Sequence, residues 1–124
     1  MNNHHEAGLA RLREVDGDAG VALVEKLKTI APEFGDYVID FAFGEIYKRP
    51  GLDLKSRELA AIAALAALGT APAQLRLHIN GALNVGCARE QVIETVIQTI
   101  VFAGFPAALN GLAAAREVFA ERGL

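Results

Sequence analysis

A chain of 124 residues with 52% apolar side chains, no tryptophan and a formal charge of -3 is long enough for one compact domain and too short to expect two. Its charges are scattered along the chain with no basic stripe of the kind a phosphate backbone requires, which excludes nucleic acid as an expected partner. No uncharged apolar run reaches the roughly 18 to 20 residues that cross a bilayer, the polar start does not read as a secretory signal, and a single cysteine excludes an internal disulfide; a cytoplasmic protein with no membrane partner is expected.

The hydrophobic spacing is helical almost throughout and nowhere alternates as a half-buried strand would, which predicts an all-α, single-domain bundle of about six or seven helices. Residues 1–17 read as a polar amino-terminal segment with a short helix from Glu6 to Val15, and residues 18–124 as the domain proper. The polar residues before Glu6, His4 and His5 among them, are expected to lack order. Asp16-Gly17-Asp18 ends the first helix and offers Asp18 as an N-cap for a second, whose face is Leu23, Val24, Leu27 and Ile30. Pro32 opens a third, in which Phe34, Tyr37, Val38, Phe41 and Ile46 recur mostly at three- and four-residue steps, and Lys48-Arg49-Pro50-Gly51 stops it.

Lys55 to Leu68 is the next helix, with Ser56, Arg57 and Glu58 in its first turn and an Ala-rich body. The Gly69-to-Pro72 corner leads to a helix carrying His78 and ending at Gly86. A further helix runs from Arg89 through Ile100 and Val101, apolar over an arc wide enough to be buried on more than one side. Gly104-Phe105-Pro106 breaks it before the last helix, Ala107 to Arg122. So many short helices leave apolar faces that one subunit hides poorly, and a homo-oligomer is expected.

His78 is the histidine within the body of the chain, and at helical spacing from Leu75, Ala82 and Val85 it looks inward. It reads either as a proton-transfer group beside a pocket floored by Gly81 and Ala82 or as a core histidine bonded to a carbonyl. Glu58 reads either as a solvated first-turn carboxylate favoured by the helix dipole or, once the Gly69-to-Pro72 corner folds the two helices together, as the group that orients the imidazole. Glu45, Arg49 and Arg57 gather around the Arg49-Pro50-Gly51-Leu52 turn, as a receptor for a substrate carboxylate or as surface charge. Asn80, Asn84 and Asn110 are helix–helix hydrogen bonders or ligand contacts. Cys87 is a buried hydrophobe or a thiol at a helix start. No second internal His or Cys completes a ligand set, so no metal is expected.

Four motifs in order, Gly44-Glu45-Ile46-Tyr47-Lys48-Arg49-Pro50-Gly51-Leu52, Ser56-Arg57-Glu58-Leu59, Leu75-Arg76-Leu77-His78-Ile79 and Phe102-Ala103-Gly104-Phe105-Pro106-Ala107-Ala108-Leu109-Asn110, resemble the carboxymuconolactone decarboxylase family from about Asp18 to Gly123. The resemblance implies an alkylhydroperoxidase D-like helical fold assembled as a trimer or hexamer. It also implies a site built on His78 and Glu58, with Arg49, Arg57, Glu45 and Asn110 around a small lactone or carboxylate substrate. One branch of the family uses a Cys-x-x-Cys pair, whose positions, counted back from His78, fall at Ala71 and Gln74; a redox role would therefore rest on Cys87. The other branch needs no thiol and no cofactor, and it decarboxylates a carboxylated butenolide to an enol-lactone in aromatic (protocatechuate) catabolism. The sequence follows that branch, except that Tyr47 stands where it would have tryptophan. A noncatalytic paralogue that binds a small acid is the remaining reading.

Overall fold

The computed structural model describes residues 3–124, and these are helical with no strand among them. The order is α1 (Asn3–Leu27), α2 (Pro32–Tyr37) continued by a π-helical segment (Val38–Ile46), α3 (Leu54–Leu68), α4 (Pro72–Asn84), α5 (Arg89–Gln98) and α6 (Ile100–Glu121). They gather into two compact units, one ending at Leu54 and the other running from Lys55 to Leu124. Each unit buries apolar residues of its own.

In the first unit, α1 starts earlier than its apolar periodicity suggests, because side chains beyond the apolar stripe tie it down. The His5 imidazole donates from Nδ1 to Asp40 Oδ1 at 2.8 Å, and His4 Nδ1 donates to the Gly44 carbonyl at 3.3 Å. The expected loose stub is thus helical from Asn3; its first two residues lie outside the described range. Gly17 does break the helix, with φ 67° and ψ -164°, in the left-handed region that favours glycine. Leu12, Val15 and Val24 face Ile39 and Phe43 in the unit's interior.

The aromatic helix departs from expectation in two ways. From Val38 it widens to i→i+5 bonding, and the Tyr47 amide reaches the Ala42 carbonyl at 2.9 Å. Five-residue steps fit that turn: Ile39 to Gly44 on the buried side, Phe41 to Ile46 on the other. The face traced by Phe34, Tyr37, Phe41 and Ile46 is exposed in the single chain, while Gly35, Ile39, Phe43 and Gly44 are buried. Glycine makes this packing achievable. A side chain on Gly8 would collide with the Ile39 carbonyl, and one on Gly44 with the His4 carbonyl, so α1 and the π-helical segment meet backbone to backbone.

The second unit is built on the Ala-rich α3 and on α4, α5 and α6, which share one core of Ile62, Leu75, Ile79, Val92, Val96 and Val118. Small residues set the spacing: a Cβ on Gly111 would come within 2.8 Å of Val96 Cγ1. Gly69, at φ 70°, closes α3, and Pro72 opens α4 at a position where a missing amide costs nothing. Helix α5 stops at Gln98, short of the Val101 expected. There the Thr99 hydroxyl donates to the Val96 carbonyl at 2.6 Å, an alternative partner that bends a helix. The predicted break follows at Gly104 (φ 85°, ψ 174°), after which Pro106 sits in the first turn of the final helical stretch. Val92 and Val96 are buried, but Ile97 and Val101 are exposed, so the apolar arc of this region is covered on one side within the chain.

Candidate active site

Glu58 lies one turn into α3, and His78 lies in the middle of α4. The Gly69-to-Pro72 corner turns α4 back so that His78 Nδ1 meets Glu58 Oε1 at 2.8 Å. The Glu58 side chain is 0% exposed and that of His78 is 19% exposed. Of the two sequence readings of Glu58, the solvated one is therefore replaced by a buried carboxylate in contact with the ring. Burial of a carboxylate is costly unless hydrogen bonds and charge offset it. The ring's Nδ1–H supplies one such bond, and the position near the α3 amino terminus adds the favourable end of the helix dipole.

The bond has a chemical consequence. A carboxylate accepts hydrogen bonds, so Nδ1 carries the proton, and Nε2 is the other ring atom at which a proton can be exchanged. Ile62 lies one turn beyond Glu58 and Ala82 one turn beyond His78, both fully buried. Each member of the pair thus has a buried apolar neighbour one turn on, and only the His78 side chain reaches solvent. Such a site can donate or accept one proton at a fixed position.

The remaining candidates are distributed as follows. Arg57 precedes Glu58 on α3 and is half-buried. Glu45 and Arg49 belong to the first unit and are exposed; Glu45 Oε1 lies 4.0 Å from His4 Nε2, and the Arg49 amide closes a turn on the Ile46 carbonyl at 3.2 Å. Asn110, on α6, is exposed and lines a cleft of about 260 Å³ with Leu65, Leu75, Arg76 and Glu117, a cleft that neither His78 nor Glu58 lines. Asn80 and Asn84 behave as helix–helix hydrogen bonders, both accepting from Arg122 Nη1 at 3.1 Å. The Cys87 thiol is 5% exposed and points to the Lys55 carbonyl, Sγ to O 3.7 Å. Ala71 caps α4 and Gln74 is exposed in its first turn, so the dithiol positions carry no sulfur.

Sequence reasoning missed the His5–Asp40 pair, having assigned both histidines of the amino terminus to a loose stub. The available signal was weak: a His-His pair at the start of an amphipathic stretch says nothing of a carboxylate some thirty-five residues on. Among the described residues no group of three or more His, Cys, Asp or Glu side chains is placed to hold a metal ion, and no helix is long and apolar enough to cross a membrane.

The chain is 33% identical over 121 residues to the 4-carboxymuconolactone decarboxylase of Acinetobacter baylyi, covering 97% of this chain and 90% of that protein. It is 33% identical over 96 residues to an uncharacterised 15.0 kDa protein of Paracoccus denitrificans, covering 77% and 72%. Over 78 residues it is 31% identical to a nitrosuccinic acid decarboxylase of Metarhizium robertsii, covering 62% and 53%. Residues 32–117 match the carboxymuconolactone decarboxylase family as a whole, and this all-α chain belongs to that family.

Proposed function

We infer that the chain is a cofactor-independent carboxy-lyase that removes CO2 from a carboxylated butenolide of the γ-carboxymuconolactone type and yields the enol-lactone. The observation that carries this reading is the buried Glu58 carboxylate bonded to His78 at 2.8 Å, which orients the ring and stabilises its protonated form. Two relatives named as decarboxylases support it.

The chemistry asks little more of the protein. In such a substrate the departing carboxylate is vinylogous to the lactone carbonyl. The electron pair of the breaking C–C bond moves through the ring double bond onto the carbonyl oxygen, CO2 leaves, and a furan-like dienolate remains. His78, as imidazolium, gives its Nε2 proton to the carbon beside the carbonyl, and solvent reaching the exposed ring edge restores that proton. One carboxylate is exchanged for one C–H bond, with no electrons gained or lost. A donor fixed in position beside the developing charge is an efficient way to lower such a barrier. Glu58 stabilises the imidazolium. Arg57, next to Glu58 on α3, anchors the second carboxylate of the substrate.

We also assign the working form to a homo-oligomer, a trimer or hexamer. Phe102 is 85% exposed, and Val101, Phe105 and Leu109 are exposed beside it in the sequence of α6, an apolar face that a soluble single chain does not ordinarily present. The test of the activity is CO2 release from γ-carboxymuconolactone by the intact protein and by His78→Ala. The expected result is turnover by the former and a loss of two or more orders of magnitude in the latter with unchanged oligomeric mass. Turnover at the normal rate by His78→Ala removes the imidazole from the mechanism, and no turnover by the intact oligomer removes this substrate.

A further inference from the structure

Helices α5 and α6 frame a second cleft, of about 380 Å³, that neither His78 nor Glu58 lines. Its floor is apolar, made by Ile93, Leu112, Ala115 and Phe119, and its rim carries Arg89 and Arg116. The Arg89 guanidinium lies over the buried Phe119 ring, 5.2 Å from its centroid. Stacking of this kind holds the planar group in place while leaving its N–H edge able to bond.

Charge makes the cleft unusual. Neither arginine has a carboxylate within ion-pair distance among the described residues. Glu117, next to Arg116 in sequence, faces away to pair with Arg76 at 3.7 Å, and Glu90, Glu94 and Glu121 do not line the cleft. Two guanidinium groups therefore flank one hollow that no acidic side chain lines, Leu124 being the remaining large residue on it, in a chain whose net charge is negative.

We propose that this cleft is a second ligand site, separate from the His78 centre, that takes a small organic acid with an aromatic or otherwise apolar body. The carboxylate bonds to Arg89 and Arg116, and the body lies on Ile93 and Leu112. The volume lies at the lower end of the range of small-molecule sites, roughly 300–1,000 Å³, and charge-assisted bonds to a guanidinium fork distinguish the acid from its neutral analogue.

Benzoate is the probe and benzamide its uncharged control, with binding followed by calorimetry and by backbone-amide NMR of the intact protein. Benzoate is expected to bind saturably and shift the amides of Arg89, Arg116 and Phe119, with benzamide at least tenfold weaker. The double variant Arg89→Gln/Arg116→Gln is expected to lose benzoate at least tenfold, and His78→Ala to keep it. Arg116→Gln alone leaves the Arg89–Phe119 stack intact and is expected to weaken binding in the same direction, so that a folding defect is not mistaken for loss of the site. Equal binding by the double variant, or shifts centred on His78 and abolished by His78→Ala, overturns the proposal. So does a fall in sedimented mass of the folded double variant without any benzoate binding by the parent, which would assign the two arginines to an acidic surface of a second copy.

Discussion

Replacing Glu58 by glutamine keeps the shape of the side chain and removes its charge, and the effect can be worked from the geometry. The Nδ1-to-Oε1 distance of 2.8 Å is that of a charge-assisted bond, and hydrogen bonds to charged groups contribute about 1.5–3 kcal/mol. If that energy stabilises the imidazolium from which the proton is delivered, its loss corresponds to about one to two powers of ten in rate, at about 1.4 kcal/mol per decade. Glu58→Gln is therefore expected to lower kcat by about 10- to 150-fold while KM changes little, because Glu58, 0% exposed, makes no contact with a substrate. Stability should move the other way or hardly at all, since burying an amide is less costly than burying a carboxylate. Initial rates of CO2 release, with urea denaturation of the same preparation, measure both quantities. A variant with the parent kcat refutes the claim that the carboxylate acts through the ring; a variant equally slow but with lowered stability refutes the separation of catalysis from folding.

Other regions make independent predictions. Gly8→Ala places a methyl group against the Ile39 carbonyl and should lower stability by about 1–3 kcal/mol; an unchanged urea midpoint would mean that the two backbones are not in contact. Cys87→Ser should leave turnover within twofold, and Cys87 itself, 5% exposed, should react with a thiol reagent only as fast as the protein opens; rapid labelling of the native protein would contradict its burial. Phe102→Asp should reduce the sedimented mass, since a charge in a packed interface costs several kcal/mol; an unaltered mass would show that this face is not a subunit contact.

Legibility in the sequence varied with the physics of each element. Where glycine and proline impose backbone conformation, at Gly17, Gly69, Pro72 and Gly104, the helix limits were readable from residue type alone. Where a hydroxyl competes for a carbonyl, at Thr99, or where five-residue steps widen a turn, at Val38–Ile46, periodicity misplaced the limit or the buried face. The Glu58–His78 contact was legible as one of two readings, because the short corner between α3 and α4 turns the chain between the two residues. What decided between them is burial, which depends on the core that α3 to α6 share and is not a local property of either residue. The Arg89–Arg116 cleft left no pattern in the sequence: its residues come from two helices and its significance lies in carboxylates that point elsewhere.

The burial of Glu58 also couples the order of events in folding to the appearance of function. Before α4 docks on α3, that carboxylate is hydrated and the imidazole samples both tautomers; afterwards water has been stripped from one and the proton assigned on the other. On the function proposed above, the proton donor therefore exists only where the Glu58–His78 contact has formed.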